Sequence, residues 1–574
     1  MSKTDNRLFM KKLKYIGMMM MAAGLLTATS CSDFDDYNSV PSDATASSQS
    51  TLWENISSNP ELSDFAALVK KAGFDDELQS STFYTVWAPL NGTYDATSLM
   101  AEDSATVLLQ FVKHHIANYN YLATGTLDTR LRSLNQKSHT FTGAGSYLYS
   151  DVELQQSNLP SSNGTLHILN GQAGFYPNIT EYLSQKKNLG DDLSVDSICG
   201  YFNKYQLTYL DEKNSVVGPL VNGKQTYIDS VMTTSNVIMS NLGVKPAEED
   251  SSYVWFIPTD KAWNDAFAKI KSAYKYAATT NAQKLSDGST TITSTSKTID
   301  AAFMQDSLTR YNIVRNQFFS ANDVYNQWLV GGEKLYLDTI RSRRHNKFSD
   351  IEKTILPQVK QEVTFSNGVG KIVDSLAFYP WETYKPEIWE SARSNKARVL
   401  NGSSSSQSVK IVYKDSEGNT TETQEFSYLH AKPSSNYAKP ELDIYLPNVL
   451  ATTYNIYCVM IPPSADDNDS TNWKPNQLDF KLSYANASGV VQSDKTLATK
   501  LENDPTKVDT MYVGKFTFPT CYSGLGSEIA PNIKITSPFS AFSKPMMAKY
   551  TRDLRIAAIL LRPVEYDEYL ATKE

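Results

Sequence analysis

Few residues in this 574-residue chain have the type and spacing that chemistry needs. Cys31 closes a run in which Lys11-Lys12-Leu13-Lys14 leads into the apolar segment Ile16 to Leu26 and then Ala28-Thr29-Ser30. A basic start, a short apolar stretch and small residues before the cut make a secretory signal, here with Cys as the first mature residue. Cys199, Cys458 and Cys521 are widely spaced, and no Cys-x-x-Cys occurs, so a zinc site is not expected. Cys458 and Cys521 fall in one C-terminal region, where a disulfide and two separate buried thiols are both open readings. His114 and His115 are adjacent, so on a helix they face different directions and form no i, i+4 metal clasp. His115 reads as a buried, hydrogen-bonded histidine. Asp466, Asn468 and Ser470 alternate as in a calcium loop, but Thr471 and Gln477 stand where an EF-hand needs Gly and Glu. A looser oxygen-ligand site and a solvated loop stay open there. Trp473 lies in the polar loop Ser470-Thr471-Asn472-Trp473-Lys474-Pro475. Exposed, its ring is a platform for a sugar; folded back, it covers the end of a sandwich. No Gly-x-Ser-x-Gly, P-loop or dinucleotide fingerprint occurs, and no cofactor is expected. Nothing points to the paired carboxylates of a glycoside hydrolase, although such a pair needs only closeness in space.

The apolar run is too short to span a membrane, which takes about 20 residues. A signal ending in Cys is similar to those of bacterial lipoproteins, whose new N-terminal Cys is acylated. The resemblance makes Cys31 the lipidation site, with acyl chains such as palmitate holding the protein at ~0.8 kcal/mol per buried methylene. Ser32-Asp33-Phe34-Asp35-Asp36 resembles the signal that sends Bacteroidetes lipoproteins to the outer face of the outer membrane. Residues 1–30 are thus the signal peptide and 31–50 a lipidated flexible linker rich in Ser, Ala and Thr. Loss of residues 1–30 removes five basic residues and one acidic residue, taking the net charge from −8 to −12. A chain this acidic is a poor partner for nucleic acid. The basic cluster Arg341-Ser342-Arg343-Arg344-His345-Asn346-Lys347 reads first as a solvated loop and second as a contact for an acidic glycan or headgroup.

The elements that must position these residues come in two similar passes. Residues 51–185 open with Leu52, Ile56, Leu62, Phe65, Leu68 and Val69 at helical spacing. The β-branched and aromatic run Ser81 to Asn91 follows, then a helix at about 103–116, then an Asn163-Gly164 turn into an alternating strand. Residues 190–380 repeat the order: a helix near Val195 to Tyr205, the run Ser252 to Trp263, a helix ending at Val314, and Asn367-Gly368 before Val369 to Leu376. A period this long is a duplicated domain, not a solenoid.

Phe256-Ile257-Pro258-Thr259-Asp260-Lys261-Ala262-Trp263 resembles the first signature of fasciclin-like domains, and Asn367-Gly368 to Asp374 resembles the second. Ala88-Pro89-Leu90-Asn91 and Leu169-Asn170 are their divergent counterparts in the first pass. His115 and Tyr311-Asn312 fall where that family carries a Tyr-His pair, with Asn312 in place of His. In physical terms Pro ends the strand, Thr or Asn caps the next helix and Asn-Gly turns the chain, so these are scaffold residues. Trp87, Trp255 and Trp263 read as core.

Residues 381–440 read as a polar connector with a loop at Asn401 to Ser406 and a hairpin about Ser416 to Asn419. Residues 441–566 read as an all-β sandwich or jelly roll, with strands at 442–446, 454–461, 478–484, 510–518, 532–536 and 554–562. The expected fold class is α+β: two fasciclin-like domains, each a β-wedge or sandwich with flanking helices, then the sandwich.

The family implies adhesion or binding without catalysis. The expected function is a non-catalytic, lipid-anchored protein at the outer membrane surface, binding glycan through Trp473 with Asp466 and Asn468, beside a polysaccharide-uptake system. The alternative is an accessory subunit docked on an outer-membrane transporter or adhesin; a polysaccharide-active enzyme ranks below both.

Overall fold

The computed structural model describes residues 49–573, apart from 186–188, 213–214, 222, 230–231, 286–291, 337 and 526–529. Cys31, the signal and nearly all of the tether lie outside the described residues. The chain divides into two compact units. The first comprises Met1–Tyr182 with Ala247–Ser251 and Thr364–Asn367; the second comprises Leu183–Pro246, Ser252–Val363 and Gly368–Glu574.

In the first unit, helix Leu52–Ser57 starts at a capping box, where Thr51 accepts from the Glu54 amide and Glu54 reaches back to the Thr51 amide. Its Leu52 and Ile56 join Phe65, Leu68 and Val69 of helix Ser63–Lys71 in one core. Strand Tyr84–Pro89 is buried at every position. It runs antiparallel to Ile116–Asn118 and parallel to Gly164–Leu169, and a strand covered on both faces is largely apolar, with the Thr85 hydroxyl bonded to the Tyr119 carbonyl and the Tyr121 amide. The expected helix at 103–116 is a helical stretch that starts at Ser104, widens to a π turn over Leu108–Val112 and tightens at Lys113–His115. Strands Thr126–Arg132, Ser138–Ala144, Ser146–Tyr149 and Val152–Ser161 complete a seven-stranded sheet.

The second unit repeats the central arrangement. Tyr253–Pro258 is antiparallel to Phe318–Ser320 and parallel to Gly368–Val373. The registers coincide: Tyr84 pairs with Gly164 and Pro89 with Leu169, as Tyr253 pairs with Gly368 and Pro258 with Val373. Each glycine is dictated by close approach. A Cβ on Gly164 would stand 2.0 Å from the Tyr84 carbonyl oxygen, and one on Gly368 2.0 Å from that of Tyr253.

The asparagine before each glycine starts a helix. Asn163 Oδ1 accepts from the Leu52 amide at 2.8 Å, and its Nδ2 donates to the carbonyls of Leu78 and Ser80. Asn367 Oδ1 accepts from the Ile179 amide, first residue of helix Ile179–Ser184, at 3.2 Å. Thr259 caps helix Asp260–Lys271 through the Ala262 amide, and its own amide donates to Val373, tying the two signature segments together. Asn91 departs from that role: its Oδ1 accepts from the Asp64 amide of an earlier helix, Ser63–Lys71. Trp87, Trp255 and Trp263 are core residues.

Two antiparallel sheets form the C-terminal part. One orders Gly402–Lys414, Thr420–Pro433, Leu554–Pro563, Thr453–Met460 and Asp509–Thr517, with Ile388–Ser391 also against Leu554–Pro563. The other orders Ala397–Leu400, Glu441–Tyr445, Asn532–Thr536, Gln477–Ala485 and Val491–Glu502. Ring contact between Tyr484 and Phe516, at 4.8 Å, joins the two. The hairpin about Ser416 to Asn419 is present, but the connector reading of 381–440 is corrected, because its two strands and those at Ile388–Ser391 and Ala397–Leu400 belong to the sheets. The Ser-rich segment Asn401 to Ser406 is mostly strand, not loop: side-chain pattern is silent there, and the ladder to Pro433, Lys432, Ala431, His430 and Leu429 holds it.

Candidate binding surface

The residues singled out from sequence do not converge. Trp473 is half-buried, and its indole N–H donates to the Asp467 carbonyl at 2.8 Å, so the ring is folded onto its own loop. Asp466 is spent on Arg555, at 2.9 Å, and on the Tyr428 hydroxyl, at 2.9 Å. Partial burial raises its pKa, but these two donors outweigh burial and hold the carboxyl below its usual value. Asn468 is exposed. Among the described residues no group of three or more His, Cys, Asp or Glu is placed to hold a metal.

Cys458 and Cys521 are free, buried thiols, which corrects the disulfide reading. Cys458 lies on strand Thr453–Met460 and pairs in register with Met511 and Ile559, while Cys521 lies in a loop beyond the neighbouring strand. Burial pushes the Cys521 thiol up to about 11 and Cys458 higher still, so neither is a nucleophile.

The basic cluster is consumed by structure. Arg341 pairs with Asp323 at 2.7 Å, while Arg343 and Arg344 donate to the carbonyls of Gly243 and Asn241 at the end of helix Val237–Asn241. Cations at that end of a helix meet its unpaired carbonyls.

Four of the six histidines belong to the first unit's core. His115 Nδ1 bonds the Phe111 carbonyl, and its Nε2 accepts from the Ala173 amide. His139 lies between the hydroxyls of Ser133 and Ser150. Burial drives His114, His115 and His139 down to about 3 and His167 to about 4, so all four are neutral rings. Nearby, the buried Lys137 ammonium bonds Glu181 at 2.6 Å, Glu249 at 2.9 Å and the Ser366 hydroxyl at 3.0 Å.

Register also corrects the second repeat's histidine position. Ile116 lies opposite Val86 as Phe318 lies opposite Trp255, which aligns His115 with Gln317, not with Asn312. Gln317 Nε2 donates to the Ile313 carbonyl four residues back, matching the bond from His115 to Phe111.

A surface that the sequence reading missed lies on the outer face of the six-stranded sheet. Trp389 sits opposite Leu560, Leu560 opposite Tyr457, and Tyr457 opposite Tyr512. Directly opposed residues share a face, so these four form one row across four strands. At about 4.8 Å per strand the row runs about 14 Å. Trp389 and Tyr512, at the ends of the row, are each 51% exposed, whereas Leu560 within it is buried in a cluster with Phe426, Tyr428, Val459 and Ile461. The rings of Tyr457 and Tyr512 meet edge-on at 5.5 Å. Asp567 accepts from the Tyr457 hydroxyl at 2.7 Å and from Asn455, and pairs with Arg562, which also pairs with Glu387. The rim is therefore a hydrogen-bonded network of one guanidinium and two carboxylates. The signal in the sequence was the alternation Thr510, Tyr512 against buried Met511, Val513.

Residues 60–171 match the model of the fasciclin domain. The structure of a FAS1 domain pair from the insect cell adhesion molecule fasciclin I is similar over 56% of this chain and 98% of its own, at 13% identity and a TM-score of 0.20. A Paenibacillus xanthan lyase is similar over 31% of this chain and 13% of its own, at 8% identity and a TM-score of 0.16. No curated protein matches the chain. Residues 60–171 thus form a fasciclin domain within an α+β fold.

Proposed function

We propose that this protein is a non-catalytic binding and adhesion protein of the cell surface, lipidated at Cys31 and held at the outer membrane, with a glycan as its ligand. The observation that carries the ligand is the row of Trp389, Tyr457 and Tyr512 on one sheet face, with Trp389 and Tyr512 exposed. Flat amphipathic rings with a polar rim suit the apolar faces and hydroxyl edges of sugars. The fasciclin domain supports the adhesive reading, and the signal ending in Cys31 supports the anchor. A place beside a polysaccharide-uptake transporter follows from the same ligand chemistry.

A glycan array probed with the mature chain tests the reading. Binding that weakens in Trp389→Ala and Tyr512→Ala is the expected result. No binding to any glycan, with recovery of an outer-membrane transporter from cells, favours an accessory docking role instead. Failure of labelled palmitate to enter at Cys31 removes the anchor.

A further inference from the structure

Two loops of the second unit hold an aromatic ring in water within the same local sequence. Tyr437-Ala438-Lys439-Pro440 precedes strand Glu441–Tyr445, and Phe542-Ser543-Lys544-Pro545 opens helix Lys544–Lys549. The two rings meet at 4.5 Å. Tyr437 is 77% exposed, the most of any large hydrophobic side chain among the described residues, and Phe542 is 59% exposed. A single exposed ring is ordinary, whereas two in contact make an apolar patch that calls for a partner.

The backbone beneath the rings is tied down. The buried Arg552 donates from Nη1 to the Ala438 carbonyl at 2.6 Å and, at longer range, to those of Ser435 and Asn436. The Ala541 amide donates to the Asn436 carbonyl at 2.9 Å and joins the two loops directly. The charge around them is one-sided. The chain as a whole is acidic, at −8, yet residues 426–440 and 529–552 contain no Asp or Glu. Lys534 and Lys549 pair with Glu441 and Glu502 from other segments. Lys439 and Lys544, each two residues after its ring, are exposed and form no ion pair among the described residues.

We propose that this tip contacts an anionic lipid surface, with the rings of Tyr437 and Phe542 in the headgroup layer and Lys439 and Lys544 on lipid phosphates. Aromatic rings favour that depth, and lysines beside them are drawn to a negative surface over about a Debye length. The same geometry is poor for a sugar. The rings are inclined at 42° and turned towards each other, so they offer no flat platform, and Phe542 has no hydroxyl to meet one. The anchor at Cys31 proposed above brings a membrane within reach; the contact itself rests on these two loops and is separate from the Trp389 row.

Co-sedimentation of the mature chain carrying Cys31→Ser with phosphatidylcholine vesicles, with and without phosphatidylglycerol, tests this. That substitution takes acylation out of the readout, and no glycan is present, so failure here leaves both earlier readings standing. The chain should bind the anionic vesicles, weaken as salt rises and bind the neutral ones poorly. Tyr437→Ala/Phe542→Ala and Lys439→Gln/Lys544→Gln should each cost at least about tenfold in vesicle affinity. Phe303→Ala, which removes a ring 65% exposed on helix Ala301–Val314, should bind as the parent chain does. The four substituted side chains are exposed, and circular dichroism checks that the fold persists. No binding to anionic vesicles, equal binding to neutral ones, undiminished binding in the ring variant, or an equal loss in Phe303→Ala overturns the proposal. So does a loss of glycan-array binding in the ring variant without any vesicle binding, which gives the rings to the glycan instead.

Discussion

Tyr149 stacks on Trp87 at 4.4 Å, nearly parallel, and presents its other neighbour, His139, at 4.7 Å. The phenol of Tyr149 also donates to the His114 carbonyl. The first unit's core is therefore a ring stack built around neutral imidazoles.

That stack predicts acid sensitivity. Burial lowers His114, His115 and His139 from 6.5 to about 3, and His167 to about 4. Above about pH 6.5 the rings are neutral whether folded or not, and nothing is lost. As pH falls below that, the unfolded chain takes protons that the core refuses, so stability drops steadily towards pH 3–4. At pH 5 each such histidine costs about 2 kcal/mol. Hydrogen exchange of Tyr84–Pro89, compared at pH 7 and pH 5 after correction for intrinsic rates, should show a marked loss of protection at pH 5; equal protection would refute the assignment.

Lys137 should be intolerant of truncation. Its ammonium is 3% exposed and neutralises Glu249, itself 5% exposed. Lys137→Ala leaves a buried carboxylate unpaired, and the expected loss is about 3–5 kcal/mol. Urea unfolding of the full chain, read at Trp87 in a variant series, measures it. Lys137→Met with Glu249→Leu should recover most of that loss.

Asn163→Ala removes three buried hydrogen bonds and the start of helix Leu52–Ser57, at a cost of about 2–4 kcal/mol. Asn163→Asp should restore the bond to the Leu52 amide but not those to the Leu78 and Ser80 carbonyls. Thermal unfolding should rank the wild type above Asp and Asp above Ala.

The cysteines should be inert while the fold persists. Thiol-reactive reagent should label neither Cys458 nor Cys521 in native protein and both once urea is added, without any reductant. A need for reductant would restore the disulfide.

Much of this was legible in the sequence. Tyr84–Pro89 and Tyr253–Pro258 declare themselves because strands buried on both faces are rich in apolar and β-branched residues. The strands from Thr126 to Ser161 were missed because they are largely exposed, so their side chains vary freely while the ladder holds them. Gln317 was hidden for a different reason. Motif spacing pointed to Asn312, but the helix Ala301–Val314 and the turn after it shift the partner of His115 by five residues, which only register shows. Trp389 lay in a stretch whose neighbours are polar, and its importance comes from pairing with a strand more than 160 residues away.

Titration of the double variant Trp389→Ala/Tyr512→Ala with the glycan that the wild type binds best is the direct measurement. At least a tenfold loss of affinity, about 1.4 kcal/mol, is predicted, with Trp473→Ala near wild type and the fold unchanged by circular dichroism. Undiminished affinity in the double variant would contradict it.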